Sequence, residues 1–269
     1  MDNWSDEIVS KRGLFHVNFY EIIRYKDLLF LFVKRDFISL YKQTILGPIW
    51  FFIQPILTTL IFTIVFGKIA GLSTDGLPQI LFYLAGITCW NYFSECLTKT
   101  SNTFIENQNI FGKVYFPRLI MPLSIVCSSL LKFGIQFLLF LMVFLYFFVY
   151  DDNNLNPNIF ILLFPALILL TGLLSLGIGI LITSLTTKYR DFRFLIQFGI
   201  QLWMYATPII YPLSALDGKL KKMAILNPMT SIIETFKFGF LGHGTFDWYY
   251  LIYTAIFTFL TLIIGVLIF

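Results

Sequence analysis

The charges of this chain are gathered into short stretches, and the runs between them are long enough to span a bilayer. Residues 43–67, 76–94, 153–187, 194–216 and 248–269 carry no Asp, Glu, Lys or Arg, and 119–150 carries only Lys132. A helix needs about 20 apolar residues to cross the hydrocarbon, and each backbone polar group in it must be satisfied within the helix. The runs therefore predict an all-α integral membrane protein with six transmembrane helices, at about 46–67, 77–97, 119–150, 159–186, 194–212 and 247–269. Composition agrees: 13% of residues are charged, where a soluble domain carries roughly 25%.

Six spans place both termini on one side, and Lys and Arg choose that side. Thirteen basic residues fall in the N-terminal segment and the second-to-third and fourth-to-fifth connections, against five on the opposite side. The N- and C-termini are thus expected in the cytoplasm. The first residues, MDNWSDEIVSKRG, contain acids and no apolar core, so no cleavable signal is expected and the internal spans direct insertion. No basic cluster with interleaved polar residues suggests nucleic acid. Three cysteines, Cys89, Cys96 and Cys127, form no C-x-x-C; neither a disulfide framework nor a metal site is indicated.

Residues 1–45 read as a cytoplasmic segment with an amphipathic interface helix, and 46–269 as one transmembrane domain. On a helical wheel Val33, Phe37, Leu40 and Tyr41 share one face, while Arg35, Asp36, Ser39 and Lys42 point away from it. A surface helix then leads into a span, with Gly47-Pro48 at the joint. Between spans five and six, residues 212–245 are long and apolar, and Leu226-Asn227-Pro228 supplies an Asn cap followed by Pro at the first helical position. Re-entrant exterior helices are expected there, with Gly239, Gly242 and Gly244 marking the exit. The connection 98–118 mixes apolar and polar residues and should dock on something at the cytoplasmic face.

Catalytic chemistry is poorly supplied. His16 and His243 have no nucleophile or carboxylate at a telling spacing, and Asp151-Asp152 read as a solvated turn. Gly67-Lys68 and Gly218-Lys219 lack the rest of a phosphate loop. Lys132 is the one basic residue inside a candidate span. With no intramembrane carboxylate expected beside it, accommodation by a bend, snorkelling or an interior groove is favoured over proton relay. Thr171, Ser175, Gly179 and Thr183 recur every four residues and predict close helix packing. Aromatic residues near span ends, among them Trp50, Trp90, Tyr92, Trp203, Tyr205 and Tyr211, fit an interfacial belt; the sharper alternative is that some line a conduit and stack on sugar rings.

An ordered set of motifs narrows the reading. Lys34-Arg35-Asp36, Tyr41-Lys42-Gln43-Thr44, Leu46-Gly47-Pro48-Ile49-Trp50 and Gln54-Pro55 come first, then Ala85-Gly86 with Trp90-Asn91-Tyr92-Phe93. Lys113-Val114-Tyr115-Phe116-Pro117-Arg118, Tyr189-Arg190-Asp191, Thr207-Pro208-Ile209 and Leu226-Asn227-Pro228-Met229 follow. Together, over about residues 30–245, they resemble the ABC-2-type permeases that export bacterial polysaccharides. The resemblance implies a homodimer in the inner membrane that docks two separate ATP-binding cassette ATPase subunits. It binds no cofactor itself, with ATP and Mg on the partner. It implies a lipid-linked polysaccharide such as O-antigen, teichoic acid or capsule as cargo. ATPase contacts would fall on Lys34, Arg35, Asp36, Tyr41, Lys42, Asn102, Phe104, Glu106, Asn107 and Phe111. An aromatic channel would draw on Trp50, Trp90, Tyr92, Trp203, Tyr205 and Tyr211. Competing functions are an ABC exporter of a drug or small lipid, an ATP-independent transporter, disfavoured by the scarcity of buried acids, and a membrane glycosyltransferase, disfavoured by the lack of clustered acids.

Overall fold

The computed structural model describes residues 19–42, 47–150, 155–189 and 191–268, and all regular structure among them is helical. Helices α1 (Phe19–Arg24) and α2 (Lys26–Lys42) come first. A 3-10 turn at Gly47–Ile49 opens α3 (Trp50–Phe62), which continues as a π-helical stretch over Thr63–Ile69. Then come α4 (Gln79–Ser101), the short α5 (Thr103–Glu106) and α6 (Gln108–Phe111), and α7 (Ile120–Tyr150). A 3-10 segment at Ile159–Leu163 leads into α8 (Phe164–Lys188), followed by α9 (Phe192–Ala206), α10 (Gly218–Leu226), α11 (Pro228–Leu241) and α12 (Trp248–Ile268).

Four stretches are long and apolar enough to cross a membrane: Trp50–Ile69, Ile120–Tyr150, Ile159–Thr187 and Trp248–Ile268. They coincide with expected spans one, three, four and six. The two remaining expected spans look different for physical reasons. Helix α4 is long enough but carries Asn91, Glu95 and Lys99, and it tolerates them because neighbours surround it; α3, α7, α8, α9 and α11 all pack on it. Helix α9 stops at Ala206, since Thr207 turns extended (ψ 142°) ahead of Pro208, whose ring and missing N–H end a helix.

Glycine sets how closely α8 meets its neighbours. A Cβ on Gly179 would lie 2.6 Å from the Thr100 side chain of α4, and one on Gly177 would lie 2.8 Å from the Leu262 backbone nitrogen of α12. The expected small-residue stripe is therefore the α4-facing side of α8. Thr183 and Thr186 donate their hydroxyls across this interface to the carbonyls of Thr100 and Ser101.

Helix α11 is buried along nearly its whole length. Asn227 caps it, its side chain accepting from Met229 N at 3.0 Å, with Pro228 at the first turn as the sequence indicated. Gly242 ends it in the left-handed region (φ 73°). Gly239 is not an exit residue: it lies inside the helix, where a Cβ would come within 3.2 Å of the backbone at Phe160 and Ile161. Phe236 and Phe240 pack with Phe137, Phe140 and Phe164 into the main core. Lys237 is buried within the same helix. It is 1% exposed, donates to the Pro208 carbonyl at 2.8 Å and sits 3.6 Å from the Phe82 ring centroid.

The α8–α12 contact yields a prediction. At Gly177 any side chain meets backbone, which cannot rotate away, so Gly177→Val should destabilise the protein by about 1–3 kcal/mol. Thermal unfolding in detergent reads the effect; an unchanged midpoint would show that these helices are free to separate.

Candidate functional site

Two elements expected to face an ATPase, α2 and the connection after α4, are brought together. Phe32 of α2 is buried against Phe116 (centroids 5.6 Å apart), which stacks on Phe111 at 5.3 Å, and Phe111 meets Phe104 at 5.0 Å. Tyr25, Leu28 and Leu29 pack against the same small core, which includes Ile120 and Met121 at the start of α7. This aromatic row forms on the face of α2 that carries Leu28, Leu29 and Phe32, with Tyr25 just before it, rotated from the face of Val33 and Phe37 that the sequence pattern suggests.

Polar contacts lie over that core. Arg35 donates to Asp36 Oδ1 from Nε (2.9 Å) and Nη2 (2.7 Å), and Nη2 reaches Asn107 Oδ1 at 3.5 Å. The Arg35 guanidinium also stands 4.9 Å from the Phe32 ring centroid, and that of Arg118 stands 5.9 Å from the Phe104 ring. Arg193 at the start of α9 approaches Glu106 at 4.0 Å. Burial pushes the Glu106 carboxyl up from the ordinary glutamate range, with Arg193 acting in the opposite direction. Lys34 and Lys42 are exposed; the Tyr41 side chain, with Gln43 and Thr44, lies outside the described residues. Asn102 points inward at 3% exposure, its Nδ2 donating to the Thr98 carbonyl at 2.9 Å, so it holds the turn out of α4 rather than presenting a surface.

Deeper along α4 lies a charge cluster that sequence reasoning missed. Lys132 is not a solitary cation. It pairs with Glu95, which also accepts from Lys99 at 2.7 Å, and the Lys132 amine stands 5.4 Å from the Phe51 ring centroid of α3. Asn91 donates to Gln136 at 3.3 Å one turn away. The available signal is the Glu95–Lys99 spacing of four residues, which puts both on one helical face.

The six aromatics do not converge on one passage within the single chain. Trp90 and Tyr92 are each 4% exposed. Trp90 packs edge-on to Trp203, whereas Tyr92 turns the other way onto Phe133. Trp203 is fixed through its Nε1, which donates to Asn227 Oδ1 at 2.9 Å, and Asn227 Nδ2 donates on to Thr207. Tyr211 donates to the Tyr205 carbonyl at 3.4 Å. Trp50 and Tyr205 remain open at 48% and 45% exposure.

Removing Glu95 should cost more than removing Lys132. Glu95→Gln leaves two lysines facing each other without a counter-ion and should cost about 2–3 kcal/mol, below the full value for a buried pair because the cluster is partly wetted. Lys132→Met leaves the Glu95–Lys99 pair intact and should cost less. Denaturation of both variants in detergent checks the order; equal losses would mean that Glu95 is not shared.

With this geometry established, comparison with known proteins gives a consistent answer. A family profile described as ABC-2 type transporter matches residues 27–241. The O-antigen export system permease protein RfbA of Klebsiella pneumoniae is 28% identical over 245 residues, covering 90% of this chain and 91% of that protein. The protein of the same name in Myxococcus xanthus is 25% identical over 225 residues, covering 83% and 84%. The polysialic acid transport protein KpsM of Escherichia coli is 22% identical over 240 residues, covering 89% and 90%.

Proposed function

The chain belongs to the ABC-2 type transporter family, and we propose that it is the membrane permease of an ATP-binding cassette exporter that moves a lipid-linked, O-antigen-like polysaccharide across the bacterial inner membrane. It is a transport subunit, not an enzyme; a separate ATPase hydrolyses ATP with Mg. Relatives named for O-antigen and polysialic acid transport support the cargo class. In this reading two copies form the conduit, α4 and α9 complete six spans, α10 and α11 re-enter from the exterior, and both termini face the cytoplasm.

The observation that carries the mechanism is the clasp between α2 and residues 103–116. A partner pressing on Arg35, Asp36 or Glu106 would move a surface already fused by Phe32, Phe111 and Phe116. That surface is tied inward by hydroxyls of α8 holding the last carbonyls of α4. Gly47, in the left-handed region (φ 50°), then lets the chain turn from the surface helix into α3. Force on α2 would thus reach α7, on which it packs, and α4 and α8 through the loop. Among the aromatics, Trp50 and Tyr205, which stay exposed, would line a conduit formed by two copies, with the buried Trp90 and Tyr92 and the half-buried Trp203 behind its wall.

In the full exporter, Arg35→Glu should leave ATP hydrolysis measurable while polysaccharide export falls by about tenfold, the scale of a typical coupling energy. Export and hydrolysis measured together in vesicles test this; export at the native rate would remove the clasp from the mechanism. Vesicles offered a polymer or an amphiphilic drug separate the cargo class from the drug-exporter alternative.

A further inference from the structure

Helix α10, Gly218-Lys219-Leu220-Lys221-Lys222-Met223-Ala224-Ile225-Leu226, exposes what a water-facing helix would hide. Leu220, Met223 and Leu226 recur every three residues along its open side and are 64%, 68% and 63% exposed. Lys219 and Lys222 stand exposed beside them, and Lys221 is half-buried. No ion pair engages these three lysines among the described residues; Asp217 is the neighbouring acid. The opposite side holds the helix to the protein, with Ala224 buried and its carbonyl accepting from Thr230 Oγ1 at 2.6 Å.

Its depth can be read from α12. The Leu226 carbonyl accepts from the Tyr253 hydroxyl at 3.1 Å. Tyr253 lies five residues beyond Trp248, about 7.5 Å along the helix axis. Trp248 and Tyr249, 53% and 82% exposed, begin an apolar helix where an aromatic girdle marks the headgroup level. The C-terminal end of α10 therefore sits at the acyl boundary, with its lysines near the headgroups.

We propose that α10 is an interfacial anchor whose apolar stripe enters the leaflet at that end of α12 while Lys219, Lys221 and Lys222 bind the headgroups of anionic phospholipids. Three lysines on the side where positive charge is otherwise scarce then have counter-ions, and the exposed leucines and methionine have an apolar medium. The charge-scarcity argument rests on the orientation proposed above; the depth argument does not. Phospholipids meet both features at once, the lysines through their headgroups and the apolar stripe through their acyl chains.

The test uses the full chain with Met223→Cys, labelled with a fluorophore, in a Cys127→Ser background because Cys127 is exposed. Reconstituted vesicles contain brominated phosphatidylcholine or brominated phosphatidylglycerol, and quenching gives their relative binding at α10. Both lipids should quench, with phosphatidylglycerol preferred by roughly fivefold for each lysine engaged. K219S/K221S/K222S should bring the ratio to near parity, while K219R/K221R/K222R, which keeps the charge, should retain it and guard against a folding artefact. Equal quenching by both lipids with the lysines present would overturn the proposal. So would absence of quenching, which would place the face in water or under protein, including a second copy. No step measures export, so a failure here leaves the transport reading standing, and the converse holds too.

Discussion

A helix carrying Asn91, Glu95 and Lys99 can sit among membrane spans only where protein, not hydrocarbon, surrounds it. That constraint on α4 organises the molecule. Five other helices pack on it, and its ionised groups are matched by Lys132 from α7 and watched over by Phe51 from α3. Leaving such charges in lipid is costly, so the bundle must form around α4 for the chain to be stable in a bilayer at all. Gly179 of α8 and the hydroxyls of Thr183 and Thr186 complete the enclosure at its C-terminal end.

The same helix links the clasp of α2 and residues 103–116 to the rest of the bundle. The segment that leaves α4 folds at once into α5 and α6 and lies against α2, so the clasp is continuous with the helix on which five others pack. Asn102 illustrates the economy of the turn. Its sequence neighbours suggest a contact residue, but its amide closes the end of α4. Gly47, in the left-handed region (φ 50°), stands where the 3-10 turn before α3 begins.

Much of this was legible in the sequence because charge depletion is a long-range signal. The four apolar spans and the Asn227-Pro228 start of α11 follow from spacing and residue chemistry, whereas α2 packs through Leu28, Leu29 and Phe32, with Tyr25 just before it, not through the face the pattern suggests. What could not be read depends on partners distant in sequence. Lys132 looked solitary because Glu95 lies 37 residues away on another helix. The burial of Lys237 could not be read either, because its carbonyl and aromatic partners come from Pro208 and Phe82. Gly239 looked like punctuation, whereas its role is to let α11 approach the backbone at Phe160. The aromatics were treated as one set, yet helix rotation sends Trp90 and Tyr92 to opposite sides of α4.

The central claim is that α2 and the connection after α4 form a single docking surface for an ATPase. Photo-activatable cross-linkers placed at Lys34 and at Glu106, one per protein, test it most directly in native membranes. Both positions should capture the same ATP-binding cassette subunit, identified by mass spectrometry. Capture of lipid alone, or of different proteins at the two positions, would contradict the account.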